Sequence, residues 1–226
     1  FVAIPLLLHP RVMGGHRIVD RGLGALGGVI TLLGEAVRLL TIGFEYVERG
    51  GKNNQVWASR LVQGGMYSHT RNPMYLGNLG IALGMCMVSG APTAYLLVFP
   101  LFVFVYQAIV CAEEAFLLQK FGSDYAQYCA TVPRFLPSFR GLRRSLAGMP
   151  YDWRRAVRKD LSTLAGLLIG LILFPVWRTY FLEGFEAAKA KAPTALGLVL
   201  TVLVLYGLLH HLKKHKRLLY LPTNTP

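Results

Sequence analysis

Long apolar stretches alternate with short polar ones along the chain, and this pattern predicts a helical membrane protein. Lipid offers the backbone no hydrogen bonds, so a single segment crosses it as an α-helix of roughly 20 apolar residues. The segments that meet or approach this length are residues 22–44, 73–90, 92–118, 161–181 and 194–211. Residues 1–8 are also apolar, and we interpret them as the tail of a further span. The expected fold is an all-α, polytopic bundle of five to six transmembrane helices.

Composition supports this interpretation. Of the 226 residues, 54% are hydrophobic and 15% are charged, whereas about 25% is typical of soluble domains. A chain this apolar is not disordered, and a soluble enzyme is disfavoured. We expect three parts: a membrane core over residues 1–140, a basic interfacial segment over 141–160 and a C-terminal pair of transmembrane helices over 161–226.

The basic residues predict an orientation. The chain carries a formal net charge of +13. Loops that contain more Lys and Arg face the cytoplasm. Lys and Arg number 17 in residues 45–73, 119–160 and 212–226, against 6 in residues 9–21 and 178–193. The first set is therefore expected on the cytoplasmic face, of the inner membrane in a bacterium or of the endoplasmic reticulum in a eukaryote.

Residues 134–159 form the most basic stretch and include Tyr151 and Trp153. A basic segment with aromatic residues at a membrane boundary is typical of contact with anionic lipids, and it can form an amphipathic helix. Because the stretch lies between two spans, we expect anionic membrane lipids there and no nucleic acid.

Two charged residues fall inside the first complete span. Glu35 and Arg38 are three residues apart, so they share one face of a helix. Ionisable groups inside a membrane pair with one another or mark a path for substrate or protons. The sequence leaves both interpretations open.

Glycines in the same span imitate a cofactor motif. Gly22, Gly24 and Gly27 satisfy the GxGxxG pattern of dinucleotide sites, but no strand precedes them. Small residues at helical spacing allow membrane helices to approach closely, and we expect that role here, for Gly80 with Gly84 and for Gly166 with Gly170. No spacing of His, Cys or acidic residues indicates a metal site, and none is expected.

Polar residues that could carry chemistry first cluster at Arg71, Asn72 and Pro73. Proline favours the first position of a helix, which makes Asn72 the N-cap. A helix start beside a permanent cation attracts a carboxylate or a phosphate. The alternative is a capped helix with an arginine that reaches to the membrane surface.

The second cluster is Glu113 with Glu114, at the end of an apolar helix. Two carboxylates at a membrane boundary require cations or hydroxyl groups as partners. Tyrosines flank both clusters, either as base-stacking faces or as residues of the membrane interface: Tyr67, Tyr75, Tyr125 and Tyr128. An anion pocket, carboxylates and aromatic faces together suit a zwitterionic, cationic nucleoside such as S-adenosylmethionine.

These residues resemble the isoprenylcysteine carboxyl methyltransferase family and its phospholipid methyltransferase relatives, over roughly residues 22–137. The first matching motif is Leu61-Val62-xx-Gly65-x-Tyr67-xxx-Arg71-Asn72-Pro73-x-Tyr75-x-Gly77. The second is Glu113-Glu114-xx-Leu117-xxx-Phe121-Gly122-xx-Tyr125-xx-Tyr128-xxx-Val132-Pro133. Two positions differ from the family: Asn72 replaces its usual His, and Ile109 stands where an Arg linked to substrate binding is frequent.

The resemblance implies a membrane methyltransferase that uses S-adenosylmethionine at its cytosolic side and acts on a lipid or another lipophilic acceptor. The residues it implies for cofactor binding are Lys52, Asn53, Gln55, Leu61, Val62, Tyr67, Asn72, Pro73, Met74, Tyr75 and Glu113. Methyl transfer is an in-line displacement in which positioning supplies most of the catalysis. We expect Arg71 to orient the acceptor or the cofactor carboxylate, and Glu114 or Tyr75 to assist deprotonation.

Two other functions fit parts of this pattern. One is an NADPH-dependent membrane reductase of the sterol or steroid type, which would need more basic contacts for a phosphate. The other is a non-enzymatic scaffold or a transporter, with Glu35 and Arg38 along its path.

Overall fold

The computed structural model describes residues 10–12, 16–45 and 60–214, and within these ranges all regular structure is helical. The helices are α1 (Arg17–Phe44), α2 (Pro73–Ser89), α3 (Phe99–Thr131), α4 (Leu142–Ala147), α5 (Trp153–Glu183) and α6 (Phe185–Lys214). A short 3₁₀ helix (Gly65–Ser68) precedes α2, and a π-helical segment (Ala94–Val98) leads into α3. The predicted all-α class is confirmed.

Within the described ranges, four stretches are long and apolar enough to cross a membrane: α1, α5, α6 and the stretch Ala94–Thr131, which contains α3. Helix α2 is shorter, with 17 residues. Helices α1 and α2 run in opposite directions, since Gly27 lies beside Gly84 and Gly34 lies beside Gly77. Helix α2 ends in a tight turn where Gly90 adopts a left-handed φ of 62°. That conformation favours glycine. We call the two ends of the bundle the Pro73 end and the Ser89 end.

Several helices extend beyond the predicted apolar segments, among them α3, which ends at Thr131. Helix α1 begins at Arg17, five residues before the apolar segment. The predicted polar linker 182–193 is wrong: α5 reaches Glu183, and only Gly184 separates it from α6. Residues 185–192 are rich in Ala, Lys and Glu, which are strong helix formers, so the helix extends well beyond the apolar stretch.

The basic stretch 134–159 does not form one amphipathic helix. Its only separate helix is the six-residue α4, and residues from Trp153 onward begin α5, which continues into the span. Arg155 there donates hydrogen bonds to the carbonyl oxygens of Ile42 (2.9 Å) and Gly43 (2.7 Å). A cation at the end of α1 stabilises its unpaired carbonyl groups and its dipole. Part of the basic stretch therefore holds the fold.

Helices α1 and α2 pack through glycines. A Cβ atom on Gly27 would lie 2.7 Å from the carbonyl oxygen of Gly84, and one on Gly34 would lie 2.7 Å from that of Gly77. The expected close packing is therefore confirmed for Gly27 and Gly84 and is wrong for Gly166, where an added Cβ atom would have no neighbour within 4 Å. This contact brings the start of α2 close to the end of α1, at the Pro73 end.

A buried ion network joins α1, α2 and α5. Arg38 lies 3.5 Å from Glu35, so the predicted pairing is confirmed. Its main partner is Asp160 on α5, with Nε 3.0 Å from Oδ2 and a second contact through Nη2. Arg38 also donates to Asn78 on α2. The side chain of Asp160 is 1% exposed, so the pair is shielded from solvent and fixes three helices together.

Candidate functional site

A narrow cleft opens at the Pro73 end, between the segment before α2, the start of α2 and the second half of α3. It is lined by Arg60, Leu61, Val62, Tyr67, Arg71, Asn72, Glu113, Glu114, Leu117, Tyr125 and Tyr128. Two carboxylates, two guanidinium groups and three phenol rings thus surround one space. Its volume is about 20 Å³, comparable to one water molecule, so a larger ligand enters only when the lining side chains separate.

The start of α2 forms one wall of the cleft. Asn72 occupies the N-cap position before Pro73, as predicted, but its side chain does not cap the helix. Instead its amide nitrogen Nδ2 donates to the carbonyl oxygen of Arg134 at 3.1 Å, and the backbone N–H of Arg71 donates to that of Pro133 at 2.9 Å. The expectation that the Asn72 side chain caps the helix is wrong. The segment after α3 presents carbonyl groups, and these accept the hydrogen bonds of this turn. The positive end of α2 is thereby left without a side-chain cap.

Glu114 joins two cations. Its Oε1 lies 3.1 Å from Nη1 of Arg71, and its Oε2 lies 2.6 Å from Nη2 of Arg134. The hydrogen bond from Arg134 to Glu114 raises the pKa of the guanidinium above its ordinary value. Nη1 of Arg71 also lies 2.7 Å from Sγ of Cys129. Arg71 is therefore held from α3 on two sides, and its Nε is buried without a hydrogen-bond partner among the described residues.

Glu113 has a different partner. The hydroxyl of Tyr75 donates a 2.6 Å hydrogen bond to its Oε1. The Tyr75 ring packs against Tyr106, with ring centroids 5.4 Å apart. Adjacent residues on a helix point about 100° apart, which accounts for the separate partners of the two carboxylates. Glu113 thus reaches the cleft while its orientation is fixed from α2.

Two tyrosines close the cleft beyond a bend in α3. Gly122 has a φ of 52° and a ψ of −122°, outside the helical region, so it bends the helix between Leu117 and Tyr125. Only glycine adopts this backbone conformation at low cost. Tyr125 and Tyr128 are both buried, and the hydroxyl of Tyr128 donates to the carbonyl oxygen of Tyr67 at 2.7 Å.

Most of the residues that the sequence predicted lie together. Seven line the cleft: Leu61, Val62, Tyr67, Arg71, Asn72, Glu113 and Glu114. Pro73, Met74 and Tyr75 lie on the first turn of α2 and do not line it, although Tyr75 contacts Glu113. Lys52, Asn53 and Gln55 lie outside the described residues.

Several residues of the cleft were not among the predicted site residues: Arg60, Leu117, Tyr125 and Tyr128. For Leu117, Tyr125 and Tyr128 the signal is periodicity, because positions 114, 117, 121, 125 and 128 recur at helical spacing along α3. Arg134, the second partner of Glu114, was also missed. It directly follows the Val132-Pro133 pair that ends the second motif.

These groups suit S-adenosylmethionine by their chemistry. The uncapped start of α2 and the buried guanidinium of Arg71 suit a carboxylate. Aromatic faces suit an adenine ring and a sulfonium cation, and Glu113 suits a hydroxyl pair or a cation. The Nε of Arg71 is a buried donor for which the described part of the chain provides no acceptor.

Comparisons with known proteins point to membrane methyltransferases. Residues 24–124 match the family model described as phospholipid methyltransferase. The chain is 35% identical over 77 residues to the protein-S-isoprenylcysteine O-methyltransferase of Schizosaccharomyces pombe, covering 34% of this chain and 33% of that protein. It is 36% identical over 117 residues to the cobalt-zinc-cadmium resistance protein CzcN of Cupriavidus metallidurans, covering 51% of this chain and 48% of that protein. No solved structure gives a significant match.

The family resemblance based on the two motifs is therefore confirmed. The matched region contains α2, α3 as far as Asp124 and both carboxylates of the cleft. The chain spans between a third and a half of the length of these relatives.

Proposed function

We propose that the protein is an S-adenosylmethionine-dependent integral membrane methyltransferase that acts on a lipid or another lipophilic acceptor, by carboxyl O-methylation or by lipid N- or O-methylation. The observation that carries the proposal is the cleft itself. Residues 53 positions apart along the chain, Leu61 and Glu114, line the same space together with Arg71 and Glu113. The match of residues 24–124 to the phospholipid methyltransferase family supports the same chemistry.

The cofactor would be held by residues on both walls. Tyr67, Tyr125 and Leu61 provide apolar and aromatic faces for a base, and Glu113 provides the carboxylate, kept in place by Tyr75. The start of α2, with Asn72 and Pro73, provides the positive end for a carboxylate. When bound, S-adenosylmethionine supplies an activated methyl group on a sulfonium centre.

Arg71 is proposed to orient the acceptor or the cofactor carboxylate. Arg71 is a permanent cation of the cleft, and α3 holds it through an ion pair with Glu114 and a contact with Cys129. Glu114 is engaged by two guanidinium groups, which favours a positioning role for it. For an acceptor that must lose a proton, Tyr75 and Glu113 offer an existing hydroxyl–carboxylate pair at 2.6 Å through which that proton can move.

The acceptor is proposed to enter from the membrane along α3. This helix is largely unburied, with Phe104 71% and Ile109 38% exposed one to three turns before the carboxylates. In a bilayer that surface faces hydrocarbon. The Pro73 end is proposed to lie at the cytoplasmic face, where the basic stretch 134–159 would contact anionic lipids.

The test is methyl transfer by the full chain in detergent. The protein is incubated with S-adenosylmethionine labelled on its methyl group and with an extract of membrane lipids, and labelled lipids are separated and identified by mass spectrometry. We expect a labelled lipid product that disappears in the double variant Arg71→Ala/Glu113→Gln. The matched control is Arg140→Ala/Glu186→Gln, which changes the same residue types at exposed positions outside the cleft. Absence of any labelled product with the wild-type chain would contradict the proposal.

A further inference from the structure

A second, larger cavity lies at the Ser89 end, away from the cleft just described. It is formed by the start of α1, the end of α5 and the start of α6, and its volume is about 420 Å³. Its floor is apolar and lies within the membrane-spanning part of the bundle, where Ala25 and Gly28 of α1 face Leu171 and Pro175 of α5.

The rim of this cavity is basic. Four cations line it, Arg17, Arg21, Arg178 and Lys191, against two acids, Asp20 and Glu183. An ion pair joins Arg178 to Asp20, and Lys191 lies 4.0 Å from Glu183. Both acids are thus engaged, and no acid pairs with Arg17 or Arg21 among the residues that the structure describes.

Arg178 is a buried and closely packed residue of the rim. Its side chain is 12% exposed, and its Nε is buried with no hydrogen-bond partner in the described part of the chain. A buried guanidinium donor normally has a partner, and each exception calls for an explanation. The guanidinium packs so closely on Gly90 that a Cβ atom there would lie 2.7 Å from Nε. The side chain is therefore fixed in position at the edge of the cavity.

The position of the basic rim also conflicts with its expected membrane side. Arg17 and Arg21 lie at the end of the bundle that the positive-inside count places away from the cytoplasm. A cluster of cations above an apolar pocket suits a molecule with an anionic head and hydrocarbon chains. Such a ligand would offset the charge and fill the cavity at the same time.

We propose that this cavity binds the anionic headgroup of a membrane phospholipid, with Arg17, Arg21 and Arg178 around the phosphate and an acyl chain on the floor between α1 and α5. The site is separate from the methyl-transfer cleft, because the two lie at opposite ends of the bundle. It therefore does not depend on the proposed activity.

Gly28 provides a test that leaves the charge unchanged. It lines the cavity, and a Cβ atom there would have no neighbour within 4 Å, so Gly28→Leu fills the space without a clash. Gly197→Leu is the matched control, because Gly197 is equally open and lies outside the cavity. Native mass spectrometry of the full chain in detergent would count bound phosphatidylglycerol and phosphatidylcholine as each lipid is titrated, and would repeat the titration with inorganic phosphate present.

We expect one equivalent of phosphatidylglycerol to bind more tightly than phosphatidylcholine. Gly28→Leu should weaken this binding at least tenfold, and Gly197→Leu should leave it unchanged. Arg17→Gln/Arg21→Gln should remove the preference for the anionic lipid, and millimolar phosphate should not displace the lipid. Equal binding by the two leucine variants, as when another part of the chain closes the cavity, would overturn the proposal. Full displacement by inorganic phosphate would show a site for a free anion and would also overturn it.

Discussion

The hydroxyl of Tyr75 donates a 2.6 Å hydrogen bond to Oε1 of Glu113 and so joins the first turn of α2 to α3. The two residues belong to different motifs, 38 positions apart. Their contact joins α2 to α3 beside the cleft, which Glu113 lines. The neighbouring carboxylate, Glu114, pairs instead with Arg71 and Arg134.

Tyr75→Phe removes this hydrogen bond and keeps the aromatic ring. A hydrogen bond to a charged group contributes about 1.5–3 kcal/mol, and Glu113 would lose its fixed orientation. We expect the affinity for S-adenosylmethionine to fall about tenfold, measured by calorimetry. Tyr180→Phe is the control, because Tyr180 is exposed at the Ser89 end. Equal affinity in both variants would show that the contact does not orient Glu113 for the cofactor.

Arg71→Lys keeps the charge and removes the planar fork. Arginine binds carboxylates through two parallel donors, which lysine does not reproduce. We expect kcat/KM for methyl transfer to fall about 100-fold, whereas Arg140→Lys at an exposed site has no effect. The parameter that changes identifies the partner of Arg71. A higher KM for the acceptor indicates that Arg71 binds the acceptor, and a higher Kd for S-adenosylmethionine indicates that it binds the cofactor carboxylate. A change of less than threefold in every parameter would exclude Arg71 from the site.

Asp160→Asn removes the main partner of the buried Arg38. Breaking a buried ion pair costs about 3–5 kcal/mol, because one charge stays buried without compensation. We expect a clear drop in the thermal unfolding temperature in detergent, and none for Asp124→Asn, which is exposed. An unchanged unfolding temperature in Asp160→Asn would mean that Glu35 alone, 3.5 Å from Arg38, satisfies the guanidinium.

Gly34→Ala tests the packing of α1 on α2. Alanine is the better helix former by about 1 kcal/mol, so an open glycine in a helix gains stability from the exchange. At Gly34, however, the added Cβ would lie 2.7 Å from the carbonyl oxygen of Gly77. We expect Gly34→Ala to destabilise the protein and Gly166→Ala, with no neighbour within 4 Å, to be neutral or stabilising. The same sign for both changes would contradict close packing at Gly34.

Local sequence signals predicted the parts of the fold that depend on neighbours in the chain. Pro73 and Gly90 begin and end α2 because proline and glycine restrict or permit particular backbone angles. The pairing of Glu35 with Arg38 follows from their helical spacing. The extension of α6 back to Phe185 was missed, because hydropathy detects the apolar core of a span and not the polar turns that continue the same helix.

Contacts between distant residues could not be predicted in this way. Asp160 is 122 positions from Arg38, and nothing near either residue indicates the pair. Likewise Arg134 completes the surroundings of Glu114 only because the chain turns back after α3. The side chain of Asn72 was expected to cap α2, and it bonds instead to a carbonyl that this turn brings close. The motifs predicted which residues share the cleft, whereas their partners depend on how α2 and α3 pack.

The most direct test is a calorimetric titration of the full chain in detergent with S-adenosylmethionine, for the wild type, Glu113→Gln and Glu186→Gln. Glu113 lines the cleft, whereas Glu186 is 84% exposed at the Ser89 end. The account predicts one binding site in the wild type, at least tenfold weaker binding in Glu113→Gln, unchanged binding in Glu186→Gln and no heat with NADPH. No binding by the wild type, or equal binding by Glu113→Gln and Glu186→Gln, would contradict the assignment of this cleft to the cofactor.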